Sequence, residues 1–201
     1  MTRGTTLLWI CASGAAFLGL ILAGCQPAPT DSPSATGTNP PVEIEAEPSP
    51  RERAIAAKDE LFGQLSERLM NALEAGDAAS AISVCKEEAP RIARKVSQSQ
   101  GVRIGRTSFR LRNPENTAPA WAESMVEQQL TEPQFVDLDD GSLGALLPIT
   151  LQPLCMTCHG PQDQIADEVK AALARHYPDD QATGFQAGDL RGWFWIEVPS
   201  S

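Results

Sequence analysis

Basic residues are scarce in this sequence: 16 Lys and Arg stand against 26 Asp and Glu in 201 residues, giving a net charge of −10 and a pI near 4.6. That balance excludes nucleic acid as a partner, because neutralising phosphates needs clustered Lys and Arg. It also excludes electrostatic docking on anionic lipid. Histidine is scarcer still, at two residues, which leaves little for a Cys/His zinc site or for acid–base catalysis by imidazole. There is no internal repeat, and the length leaves no room for a large multidomain enzyme. What is present is an ordinary globular composition, 42% hydrophobic and 21% charged, together with sixteen prolines and an odd number of cysteines, five. A pure disulfide framework would leave one thiol over.

The first 24 residues read as a lipoprotein signal peptide. Arg3 supplies a short positive region, and Leu7 to Ala23 is almost wholly apolar or small. The run ends in Leu22-Ala23-Gly24-Cys25, which resembles a bacterial lipobox, with Cys25 acylated as the mature N-terminus. The alternative is an uncleaved transmembrane anchor, since about 18–20 apolar residues can just span a bilayer. Either way the remainder is expected outside the inner membrane, in the periplasm of a Gram-negative cell. Gln26 rather than Asp after the acylated cysteine resembles outer-membrane sorting. From Gln26 to Pro50, seven of 25 residues are proline and Lys and Arg are absent. Such a stretch cannot bury enough apolar surface to offset its ordering entropy, so residues 25–50 are expected to be a lipidated, semi-extended tether.

The domain expected over residues 51–201 carries 22 acids and 15 bases, a net charge of −7. Leu61, Leu65, Leu69 and Leu73 recur every four positions before Gly76, which predicts an amphipathic helix. A second helix is expected from an Asp77 cap to Gly101, kinked at Pro90, which has no donor for the preceding turn. Further expectations are a strand over Val102–Leu111, a helix over Pro119–Leu130, and a strand over Ser142–Leu151 entered through Gly141. A helix carrying Ile165, Val169 and Leu173 follows, then a closing strand over Leu190–Val198, where Phe194, Ile196 and Val198 alternate with Trp193, Trp195 and Glu197. Helices first and then strands mixed with helices predict an α+β fold with an antiparallel sheet.

Cys155-Met156-Thr157-Cys158-His159 is the most specific signal. Two thiols three residues apart can add to the two vinyl groups of one haem, and the adjacent histidine then reaches the iron as proximal ligand. A structural zinc site would need a second pair of ligands, and after these only Cys85 and His176 are left. A thioredoxin-like redox pair would not account for His159. With Cys11 discarded, Cys25 lipidated, and Cys155 and Cys158 holding haem, Cys85 remains as a single thiol. It is either a small buried hydrophobe on a helix face or a thiolate on the second axial side of the iron. Met125, Met70 and His176 are rival ligands; the methionines suit core packing, and His176 suits a helix C-terminus.

Several further segments occur together with that motif: Ala89-Pro90, Arg106-Thr107-Ser108, Arg112-Asn113-Pro114-Glu115-Asn116, Trp121, Cys155 to Gly160, Tyr177-Pro178, Gly184 and Gly188-Asp189-Leu190-Arg191-Gly192. In this order they resemble the bacterial and cyanobacterial c-type haem domain with a PAS-like fold, long catalogued as a domain of unknown function. The resemblance spans nearly all of residues 55–199. It implies a PAS-like antiparallel sheet flanked by helices, one covalently attached haem c, and an axial pair of His159 opposite Cys85. Arg106, Arg110 and Arg191 are candidate partners for the haem propionates, since guanidinium matches carboxylate bidentately. Trp193 and Trp195 could wall the haem edge, although sheet packing accounts for them equally.

Three functions follow as expectations. The first is a membrane-tethered, low-potential electron-transfer protein with an unidentified redox partner protein. The second is a haem-based redox or gas sensor acting through a separate partner. The third and weakest is a haem enzyme such as a peroxidase; with His159 on the iron, only His176 would remain as an imidazole acid–base. A carrier or sensor is therefore expected rather than a catalyst.

Overall fold

The computed structural model of the chain describes residues 47–76 and 78–200. The signal segment, Cys25, most of the Pro-rich tether and the Asp77 cap lie outside the described residues. Among the described residues, no helix is long and apolar enough to cross a membrane.

Helix α1 runs Pro50–Glu74, so the last residue assigned to the tether already belongs to a helix. Ser49 explains the start: its hydroxyl accepts from the Glu52 amide, and the Glu52 carboxylate accepts from the Ser49 amide at 2.7 Å. This reciprocal pair satisfies donors that a helix N-terminus otherwise leaves open, and Pro50 sits where its missing N–H is harmless. Gly76, at φ 76°, ends the helix as expected.

The expected second helix is three segments. Helix α2 spans Ala78–Ser83, a π-helical stretch spans Val84–Glu88, and helix α3 spans Ala89–Gln100. Pro90 is the physical reason. It cannot donate to the turn before it, and the backbone widens immediately N-terminal to it, with the Ala89 amide donating to the Val84 carbonyl. Gly101 closes α3 in the left-handed region at φ 59°.

Four strands follow: β1 (Arg103–Thr107), β2 (Gln134–Asp137), β3 (Leu143–Thr150) and β4 (Leu190–Val198). They form one antiparallel sheet in the order β1-β4-β3-β2. The expected α+β architecture, an antiparallel sheet flanked by helices, is what the chain adopts. Period-2 alternation on β4 divides the two cores as the sequence predicts. Phe194, Ile196 and Val198 pack with Leu147, Ala145 and Ile104 under Ala54, Ala57 and Leu61 of α1 and Val96 of α3. Trp193 packs with Leu146, Ala122 and Val126. It is completely buried, and its indole donates to the Leu130 carbonyl at 2.8 Å. Trp193 is therefore core. Pro148 fits into β3 because pairing with β2 ends at Leu146, leaving no partner on that side.

Two elements are shorter than expected, and one was not expected. β1 ends at Thr107 because the Ser108 side chain, not its main chain, meets β4: the hydroxyl donates to the Arg191 carbonyl at 2.7 Å. The Pro119–Leu130 helix reduces to a 3-10 turn at Ala120–Ala122 and a short α4 at Glu123–Glu127. Gln129 then turns into the left-handed region at φ 52°, and Leu130 gives its carbonyl to Trp193. β2 is the additional strand, four residues at a sheet edge.

Candidate functional site

The Cys-x-x-Cys-His segment leaves the end of β3 and coils at once. A 3-10 turn at Pro153–Cys155 runs into helix α5, Met156–His159. Cys155, Cys158 and Cys85 are all free thiols and half-buried. Cys155 and Met156 rest on Leu151, Ala182 and Phe185. Cys158 rests on Ile82 of α2, Tyr177, and Ile165, Val169, Ala172 and Leu173; Val169 to Leu173 lie on helix α6 (Asp167–His176). The two sulfurs are thus held by two different apolar clusters. Burial pushes the Cys158 thiol up to about 11, with Arg112 opposing the shift and Cys85 and Cys155 adding to it.

His159 is fixed from one direction by the main chain of a short loop, residues 182–185. Its Nδ1 lies 2.7 Å from the Ala182 carbonyl. The Phe185 amide donates to the His159 carbonyl at 2.9 Å, and the Gly184 amide to the Gly160 carbonyl at 2.7 Å. A carbonyl only accepts, so Nδ1 carries the proton and Nε2 presents a lone pair. Burial, then the charges of Arg112, Arg191 and Arg106, hold the imidazole well below the usual histidine range. It is therefore neutral, the form that ligates a metal.

Cys85 lies in the π-helical stretch between α2 and α3. It lies near enough to Cys158 and Tyr177 to push both groups' pKa values up, which sets it at the same site, 73 positions before Cys158. The next residue, Lys86, donates to the His176 carbonyl at 2.9 Å and sits over the Tyr177 ring. Among the rival ligands, Met125 packs in the Trp193 core, Met70 is exposed on α1, and His176 is the last residue of α6. Among the described residues, no group of three or more His, Cys, Asp and Glu is assembled for a bare metal ion.

The arginines do not play equal parts. Arg110 donates to the Gln181 carbonyl at 2.8 Å and to the Thr183 carbonyl, and its guanidinium lies 4.3 Å from the Phe185 ring centre. Arg191 donates to the Ser108 hydroxyl at 2.8 Å and the Arg110 carbonyl at 3.1 Å. Burial and then the charges of Arg112 and Arg106 push Arg191 down to about 9, with Asp180 opposing. Arg106 is half-buried on β1, opposite Phe194. The residue that sequence reasoning missed is Arg112, the only buried arginine among the described residues. It pairs with Asp180 at 3.1 Å and donates to the carbonyls of Cys158 (2.6 Å) and Ala182 (3.1 Å). The one available signal was its place in the Arg112-Asn113-Pro114 segment. Among the described residues Arg112 alone pairs with Asp180, and the charges of Arg106, Arg110 and Arg112 all bear on Arg191, an excess of positive charge inside an acidic protein.

Tyr177 is the only tyrosine, which allows a clean measurement. Burial, then the Cys85 charge, push its phenol up to about 12. Its ordinary value is about 10, so in the unfolded chain it ionises first. Its contribution to stability is present in full below about pH 10 and is lost as pH rises towards 12. Absorbance at 295 nm should therefore titrate near pH 12 in the folded protein. A midpoint near 10, with the fold intact by circular dichroism, would contradict this environment.

An antiparallel sheet whose inner strand β3 runs on into a Cys-x-x-Cys-His turn, with that turn clamped by buried arginine, defines the class to which this fold and site belong. The chain is a member of the Tll0287-like family, whose model matches residues 40–199. Its fold is similar to that in the crystal structure of the cyanobacterial heme-protein Tll0287, with a TM-score of 0.54 at 20% identity over 78% of this chain and 98% of that one. No curated protein matches the sequence.

Proposed function

We propose that this chain is a membrane-tethered, extracytoplasmic c-type haem protein that transfers electrons at low potential. One observation carries the reading: His159 has Nδ1 committed to the Ala182 carbonyl, which leaves Nε2 to bind a metal, beside the free thiols of Cys155 and Cys158. The donor set fits haem c. Cys155 and Cys158 would each add S–H across a vinyl group, forming a thioether with no leaving group. His159 would bind the iron through Nε2 and Cys85 through its sulfur. Arg106, Arg110 and Arg191 would face the propionates, whose two negative charges would offset the positive charges that bear on Arg191. Bound haem supplies a one-electron iron couple. A thiolate at Cys85 stabilises the ferric state, hence the low potential. Membership of the Tll0287-like family, and the heme-protein of similar fold, support the same reading. Cys25 would carry the lipid, in the outer membrane if the cell is Gram-negative, and a separate redox protein would be the partner.

A second reading, redox or gas sensing through a separate partner, is favoured by the position of Cys85. It sits on a π-helical stretch, a local departure from α-helix common at functional sites, where a ligand could be exchanged by a change of helical register. Absorption and EPR of ferric and ferrous protein, with and without carbon monoxide, separate the two. A low-spin thiolate signal and no carbon monoxide adduct are expected for the carrier, whereas rapid carbon monoxide binding on reduction favours the sensor. A ferric spectrum untouched by Cys85→Ala would overturn the axial assignment.

A further inference from the structure

The Ala182 peptide is held at both ends by one buried ion pair. Its carbonyl accepts from His159 Nδ1 at 2.7 Å and from Arg112 Nη2 at 3.1 Å. Its amide donates to Asp180 Oδ1 at 2.8 Å, while Asp180 Oδ2 accepts from Arg112 Nε at 3.1 Å. The same Arg112 Nη2 reaches the Cys158 carbonyl at 2.6 Å, one residue before the histidine. Arg112 and Asp180 are only 8% and 9% exposed. A buried ion pair is a poor stabilising device, since apolar residues of similar volume often do as well or better, and its best-attested use is to fix a register. Here the register fixed is that between α5 and the stretch 182–185.

We infer that Arg112, paired with Asp180, is a positioning residue for His159: it holds the carbonyl that sets the tautomer and ring orientation of the imidazole. The hydrogen bond on the far side of a ligating histidine governs which nitrogen binds and how strongly it donates. The importance of the imidazole rests on reading His159 as the iron ligand, but the orientation belongs to the polypeptide itself.

The test uses the full chain in two forms. Uniformly 15N-labelled, haem-free, untagged protein has only two imidazoles to assign, and long-range 1H–15N correlation reports each tautomer. Wild type should show His159 as the Nδ1–H form. In Arg112→Gln and Arg112→Lys the ratio of Nδ1–H to Nε2–H should fall about tenfold, the bias that one ordinary hydrogen bond supports. Lysine keeps the charge but not the fork. Haem-loaded protein should then show altered ferric EPR g-values in both variants. A folded Arg112 variant with the wild-type tautomer, or full rescue by lysine, would overturn the proposal. If neither variant gives a dispersed spectrum, Asp180→Asn decides: the same fall supports the proposal, and an unchanged ratio or failure to fold defeats it. Wild-type protein that binds no haem would instead defeat the haem reading, leaving the tautomer result to stand alone.

Discussion

Protein matured in cells that attach c-type haem should keep its haem stain after boiling in detergent and electrophoresis, and Cys155→Ser/Cys158→Ser should lose it completely. Coordination bonds do not survive denaturation, whereas thioethers do. The double substitution therefore removes the whole signal and not a fraction of it. Each single variant should retain stain through its remaining sulfur, with a shifted pyridine haemochrome band reporting one unreacted vinyl. Cys85→Ser should retain full stain, because that sulfur would act only as an iron ligand. The contrast separates attachment from ligation within one experiment. Stain persisting in the double variant, or absent from wild type under the same maturation, would refute covalent attachment at this motif.

Trp193→Ala should be the most damaging single change in the core. The ring is fully buried against Leu146, Ala122 and Val126, stacks edge-on to Phe109, and satisfies the Leu130 carbonyl. Truncating a buried aromatic costs about 3–5 kcal/mol through lost transfer energy and the cavity left behind. In a domain of this size each kcal/mol lowers Tm by about 2–4 °C, so a fall of the order of 10 °C is expected by calorimetry. Trp195→Ala is the internal control. That residue is half-buried and lies over Gly105, where a Cβ would stand 2.4 Å from its ring, so removing it should cost clearly less. Equal losses would contradict the difference in burial between these two indoles, which share one face of β4.

Much of this was readable in the residues. The four-residue recurrence from Leu61 predicted α1, the alternation from Trp193 to Val198 predicted both faces of β4, and Gly76 and Gly101 end their helices where expected. The Cys155-to-His159 motif stood out because the covalent attachment proposed for it demands particular side chains at a fixed spacing. What escaped notice is held by main chain or by distant partners. β2 is too short to show a period, and only its pairing with β3 makes it a strand. Sequence supplied no reason to choose Arg112 over Arg106, since its partners are two carbonyls and an aspartate 68 positions away. Ala182 carries no functional group beyond the backbone, so no residue type could advertise it. Pro90 did signal a disturbance, but whether a helix meets it by kinking or by widening into a π turn depends on what packs around it.

The anchoring of His159 by the stretch 182–185 imposes a constraint of length. Every hydrogen bond from that stretch to His159 and Gly160 uses an amide or a carbonyl, while the Phe185 ring also stands edge-on to the imidazole and Gly184 takes φ 79°. Inserting or deleting one residue between Asp180 and Phe185 would move every donor and acceptor out of phase at once. Across the family, the count of residues in this segment should therefore stay fixed.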